Sequence, residues 1–139
     1  MTPVPYLFFN GTCRDALNFY GQIFGTEPDL LTADGLPPEF DVPEDRKAWI
    51  MHGSLKVGNG LLMGSDNVMG TSDAMTGCAV QMDLPTAAEA KDLFEKLVDG
   101  GEVTMAFAPT FWSGGFGTLT DKFGIRWMVG THEPPAKVG

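Results

Sequence analysis

The chain states one pattern twice. Residues 12–24 read TCRDALNFYGQIF and residues 86–98 read TAAEAKDLFEKLV, so an offset of 74 pairs Thr12 with Thr86, Ala16 with Ala90, Phe19 with Leu93 and Ile23 with Leu97. Farther on, GSLKVGNGLLMG (53–64) echoes GTLTDKFGIRWM (117–128) at an offset of 64, matching Gly53 with Gly117, Leu55 with Leu119 and Gly60 with Gly124. An internal repeat of this length calls for two copies of one supersecondary unit. A chain of 139 residues is about one domain by size. Halves of about 65 residues are marginal alone, so they are expected to share a core. The boundaries read as a first module at about 1–68, a second at about 76–131, and a tail at 132–139.

Periodicity supplies the elements. Val4–Phe9 has the aromatic, short character of a strand. Thr12 opens a helix with Asp15 three residues on, and Thr86 with Glu89 forms the full capping-box pattern. Apolar residues at 16, 19, 20, 23 and 24, repeated at 90, 93, 94, 97 and 98, give each helix one buried stripe. Gly25 and the pair Gly100-Gly101 stop the helices. Strands are expected at about 27–33, 47–57 and 61–66, and at about 102–107, 110–120 and 124–130, with Asn59-Gly60 as a hairpin signal. Each half therefore reads β-α-β-β-β, an α+β class. The first half carries ten extra residues, which fall in DGLPPEFDVPEDR (34–46); three prolines and five acids there predict an exposed loop.

The formal charge of −9 repels phosphate, which argues against nucleic acid and suits a neutral or cationic small ligand. No run approaches ~18 apolar residues, so no membrane span is expected. MTPVPYLFF lacks a basic flank and reads poorly as a signal peptide. Cys13 and Cys78 form neither CxxC nor a disulfide scaffold, so a reducing cytoplasm is the expected compartment.

The strings PYLFFNG (5–11), ALNFY (16–20), MHGSLKVGNGLLMGSD (51–66) and TFWSGGFGTLTDKFGIRW (110–127) resemble the PhnB-like branch of the glyoxalase/bleomycin-resistance/dioxygenase superfamily, the vicinal oxygen chelate proteins. The likeness covers nearly the whole chain. It implies two tandem βαβββ modules, each a curled mixed sheet with one helix on its convex face and a ligand on the concave side. It also implies a homodimer. Metal-binding members of that superfamily take one ligand from the first strand and one from the last strand of each half. Carried over without gaps, those positions fall on Pro5, Gly64, Ala79 and Met128, none of which can hold a divalent cation. The resemblance thus implies no metal and no cofactor for this chain.

Several residues qualify for a site. His52 lies in an expected strand. A three-residue loop at 58–60 places it opposite Asp66, where the pair could act as general acid and base; a two-residue Asn59-Gly60 turn slips the pairing and separates them. Aromatic side chains on a sheet can line a pocket for a planar or cationic ligand. Trp49, Trp112, Phe116 and Trp127 are such candidates, with Met63 as the repeat mate of Trp127. Cys78 reads as a small buried residue and Asp121 as a turn-former.

Two functions compete. One is a metal-independent small-molecule-binding protein whose ligand contacts come from Trp49, His52, Met63, Asp66, Trp112, Phe116 and Trp127. The other is an enzyme of lyase, isomerase or dioxygenase type with a non-standard site around His52 and Asp66. Some relatives carry a ubiquinone-methyltransferase label, but no Gly-rich strand–turn–helix of the kind that seats a methyl donor is present.

Overall fold

The computed structural model describes residues 1–136 and falls into two compact units, Met1–Ala74 and Met75 onward. The first contains β1 (Tyr6–Phe9), α1 (Cys13–Phe24), β2 (Asp29–Thr32), β3 (Ile50–Val57) and β4 (Gly60–Asp66). Its sheet has the order β1-β4-β3-β2, with β1 parallel to β4 and the other neighbours antiparallel. The second contains β5 (Val80–Leu84), α2 (Ala87–Leu97), β6 (Glu102–Ala108), β7 (Phe116–Thr120) and β8 (Arg126–Thr131). Its order, β5-β8-β7-β6, repeats the same pairing senses. The fold is therefore the expected α+β tandem of two mixed sheets, each with one helix.

In each unit the helix stripe packs on one sheet face. Ala16, Leu17 and Tyr20 of α1 are buried with Leu7, Phe9, Leu55 and Leu62; Ala90, Leu93, Phe94 and Leu97 of α2 are buried with Leu119, Trp127 and Val129. Each large side chain so enclosed contributes about 1.5–3 kcal/mol. The repeated glycines 53 and 117 sit beneath the helices. A Cβ at Gly53 would lie 2.5 Å from Leu17 Cδ1, and one at Gly117 2.8 Å from Phe94 Cε2. The repeat keeps glycine there because the helix comes too close for any side chain.

The helix starts differ. Thr86 accepts the Glu89 N–H at 3.2 Å, as the capping box requires. Thr12 makes no side-chain cap; the carboxylate of Asp66 takes that role from the end of β4. The 34–46 insertion is largely exposed and carries three short 3-10 turns, Ala33–Gly35, Pro38–Phe40 and Glu44–Arg46. Residues 110–115 belong to no strand, and β7 begins only at Phe116. Here Ser113 Oγ donates to the carbonyls of Gly115 and Thr131, at 2.8 and 2.6 Å, and holds the chain as a loop.

The two hairpins are not the same length. Lys56 pairs with Leu61 across four intervening residues, whereas its repeat mate Thr120 pairs with Arg126 across five. The first loop is Gly58-Asn59, with Gly58 at φ 56 as a type II′ turn demands of its leading residue. Beyond the turns the repeat offset is consequently 65, not 64. A one-residue slip reverses the face of every side chain in a strand. Trp127 therefore matches Leu62, and Met63 matches Met128. No helix among the described residues is long and apolar enough to cross a membrane.

Candidate functional site

Each sheet turns one face to its helix and leaves the other without one. Residues paired across a ladder share a face. In the first unit Tyr6, Met63 and Ser54 form one row of the helix-free face. Phe8 and Ser65 form the next, which His52 joins one step past the Gly53–Gly64 pair. In the second unit the same rows hold Gln81, Met128 and Thr118, then Asp83, Gly130 and Phe116.

His52 finds its partner in the first row. Tyr6 Oη lies 3.1 Å from His52 Nδ1, and the two rings stack at 5.7 Å and 27°. Tyr6 also meets Phe8 at 5.1 Å. Around the pair, Phe8 is 49% and Leu31, the β2 partner of His52, 48% exposed. Met63 is half-buried between Tyr6 and Ser54.

Asp66 is not part of this group. It pairs with Phe9 on the helix face and is 4% exposed. Its Oδ1 accepts the N–H groups of Gly11 and Cys13 at 2.8 and 3.0 Å, and its Oδ2 accepts Ile50 N–H at 2.8 Å. The hairpin adopts neither register considered from sequence: the loop is one residue earlier than Asn59-Gly60, so His52 and Asp66 point to opposite faces. Asp66 ties the start of α1 to β3 and leaves no oxygen for substrate.

Trp127 is likewise removed from the ligand face. It is fully buried under α2, and its indole N–H donates to Asp121 Oδ2 at 2.9 Å. The longer second turn accounts for this, because it rotates Trp127 inward and Met128 outward. Asp121 is the expected turn-former, with Oδ1 accepting Phe123 and Ile125 N–H. Trp49 stacks under Arg46 at 4.5 Å and fills the space above Gly11, where a Cβ would lie 2.9 Å from its ring. It braces the β1–α1 corner. Trp112 and Phe116 do stand at the surface: their rings meet at 5.6 Å and 62°, and Phe111 meets Trp112 at 4.8 Å. Tyr6, Phe8, Phe111 and Asp83 were not singled out from sequence. The alternation in β1, with Leu7 and Phe9 under the helix, was the available signal for the first two.

The Cys13 thiol is not a nucleophile candidate by environment. Burial, reinforced by the negative Asp66 and opposed by Arg14, pushes the Cys13 thiol up to about 12. Cys78 is exposed rather than buried as expected. Two cavities of about 330 and 360 Å³ open beside the 33–47 insertion and the end of α1, and none of the residues above lines them.

Neither a divalent metal nor a methyl donor finds a matching set of donors on these faces. The helix-free rows of the first unit supply one imidazole and no carboxylate. Those of the second supply Gln81 and Asp83. Among the described residues no three His, Cys, Asp or Glu groups converge as a metal would need. A nucleotide-like methyl donor usually meets free N–H groups at a helix start. Here Gly11 and Cys13 donate to Asp66, while Ala87 donates to Glu133 at 2.7 Å and Glu89 to Thr86. Neither group fits.

Comparison with known proteins places the chain. The family model described as 3-demethylubiquinone-9 3-methyltransferase matches residues 2–130. Protein YjdN of Escherichia coli (strain K12) is 31% identical over 139 residues, covering 90% of this chain and 91% of that protein. Protein PA1353 from Pseudomonas aeruginosa superposes with a TM-score of 0.84 at 41% identity, over 96% of this chain and 98% of that one. A putative 3-demethylubiquinone-9 3-methyltransferase, PhnB protein, from Bacillus cereus gives 0.78 at 22% identity, over 94% and 99%. A glyoxalase/bleomycin resistance protein/dioxygenase family enzyme from Burkholderia phytofirmans PsJN shares the fold alone, with a TM-score of 0.60 at 14% identity over 92% and 95%. The chain belongs to the family whose model is described as 3-demethylubiquinone-9 3-methyltransferase, and it shares its fold with solved glyoxalase/bleomycin resistance protein/dioxygenase family proteins.

Proposed function

We propose that this protein binds a small planar molecule on the helix-free sheet faces, without a metal ion. The observation that carries the reading is the Tyr6–His52 pair standing among exposed apolar side chains. A Tyr6 hydroxyl donating to Nδ1 keeps the imidazole proton on Nε2, which then offers a fixed donor to a ligand carbonyl or phenol oxygen. Phe8, Leu31 and Met63 supply the apolar surface around it. The poverty of oxygen and nitrogen donors supports metal independence. The Gly11, Cys13, Ala87 and Glu89 N–H groups at the helix starts are already taken, which weighs against methyl transfer, whatever the family name.

The competing enzyme reading required Asp66 beside His52, and Asp66 is committed to three backbone amides. A test is an NMR screen of the full chain with planar aromatic ketones and phenols, with and without EDTA. Binders should shift the Tyr6, His52 and Met63 signals equally in both conditions. His52→Ala should weaken them about fivefold to tenfold, the worth of one hydrogen bond to a ligand. If no compound at millimolar concentration moves those signals, or if EDTA abolishes the shifts, the reading is wrong.

A further inference from the structure

The geometry points to a site for an organic cation, a protonated or quaternary amine, at the aromatic corner of the second sheet formed by Trp112, Phe116 and Asp83. This extends the small-molecule reading above and rests on it, but it concerns a different unit of the chain.

Asp83, Gly130 and Phe116 lie in one row across β5, β8 and β7. Gly130 is the middle member, and a Cβ there would lie 3.0 Å from Phe116 Cδ2. The Phe116 ring therefore leans over the backbone of β8 toward β5. Neighbouring strands are about 4.8 Å apart, so Asp83 on β5 stands two strands from Phe116, in the row toward which that ring leans. Trp112 meets Phe116 at 62°, so the two rings form adjoining walls rather than a stack. An ammonium group is attracted to ring faces and to a carboxylate at once, and this corner presents both.

The corner is built in advance. Trp112 is 54% and Phe111 90% exposed, yet the loop beneath them is tied at every step. Thr110 Oγ1 accepts the N–H groups of Trp112 and Ser113, and Thr110 N–H donates to Ser113 O at 2.9 Å. Ser113 Oγ bridges Gly115 and Thr131, and Gly114 N–H donates to Glu133 O. Rings held in water by a fixed loop lose little freedom when a ligand arrives. The charge sign also fits. Glu133, next in sequence to His132, adds a second carboxylate, whose Oε2 accepts the Ala87 N–H, and His132 Nδ1 engages Asp83 through Oδ2 at 2.7 Å, so Oδ1 is not part of that contact. The matching row of the first unit, Phe8, Ser65 and His52, has no carboxylate, so this selectivity belongs to the second unit.

The test uses the full chain, choline, and its uncharged carbon isostere 3,3-dimethylbutan-1-ol, read by the Trp112 indole N–H in NMR. Choline should shift that signal saturably, and the alcohol should bind about tenfold more weakly or worse. Asp83→Asn should weaken choline about fivefold to tenfold. His132→Ala, which releases the same carboxylate, should leave choline binding equal or tighter. Trp112→Leu, followed instead by line broadening of the choline methyl signal, should abolish it. Equal binding of choline and the alcohol, or indifference to Asp83→Asn, would overturn the cation assignment while leaving a binding surface. No shift at Trp112, with planar aromatic probes still moving His52, would overturn the cation site alone. Silence at both would sink this inference together with the reading it extends.

Discussion

Replacing Asp66 by alanine separates a structural carboxylate from a catalytic one. Three backbone N–H groups converge on it at 2.8, 3.0 and 2.8 Å, and those of Cys13 and Ile50 are buried. A buried donor left without a partner costs about 1–3 kcal/mol, so these two alone come to about 2–6 kcal/mol. Gly11 N–H is only partly buried and regains water, adding little. Loss of a negative charge at the start of α1 adds about 0.3–1 kcal/mol. A total of about 2–7 kcal/mol is a large share of the 5–15 kcal/mol typical of a folded domain, roughly 7–25 °C in melting temperature. Urea unfolding of Asp66→Ala against the parent measures it. Amide exchange should accelerate first at Cys13 and Ile50. Asp66→Asn should fall between, because one amide oxygen still accepts while its NH2 faces a donor. His52→Ala, a partly exposed group with one hydrogen bond, should stay within about 1 kcal/mol of the parent. If Asp66→Ala unfolds within about 0.5 kcal/mol of the parent, the carboxylate does not brace α1 and the assignment of its three bonds is wrong.

Other consequences are as direct. Trp127→Phe should cost about 1–3 kcal/mol in urea unfolding, because Asp121 Oδ2 loses its indole donor inside the core. Gly117→Ala should cost a comparable amount, since its Cβ would lie 2.8 Å from Phe94 Cε2 and 2.9 Å from Phe107 Cα; a variant as stable as the parent would show that α2 can lift away freely. A thiol reagent should label one cysteine in the native chain and two in denaturant, with Cys78 reacting first. The Cys13 thiol also predicts a pH effect. Its folded value lies near 12 against 9.0 when unfolded, so above pH 9 the unfolded chain releases a proton that the folded chain keeps, and stability falls with rising pH. The slope is about 1.4 kcal/mol per pH unit, present up to the folded value, and the difference between parent and Cys13→Ala isolates it.

The sequence carried the fold further than the site. Helical stripes at 16–24 and 90–98, and glycines that repeat because a helix lies over them, are periodic features that a single chain displays openly. Which residues share a sheet face depends on a count, and one extra residue in the 121–125 turn reversed it for Trp127. The expectation that Trp127 lines a ligand pocket, with Met63 as its mate, follows from a gapless offset of 64. The role of Asp66 is hidden for a different reason: its partners are backbone amides at positions 11, 13 and 50, and no side-chain pattern announces them. Tyr6 escaped attention because its role depends on a partner 46 residues away.

The rows Phe8–Ser65–His52 and Asp83–Gly130–Phe116 occupy the same three stations of a duplicated lattice, filled with different chemistry. Those stations carry side chains that neither helix rests upon. Under the proposed function, substitutions there should alter what is recognised with little penalty in folding, whereas those beneath the helices should cost stability. Exchanging the two triplets should then transplant ligand preference from one half to the other.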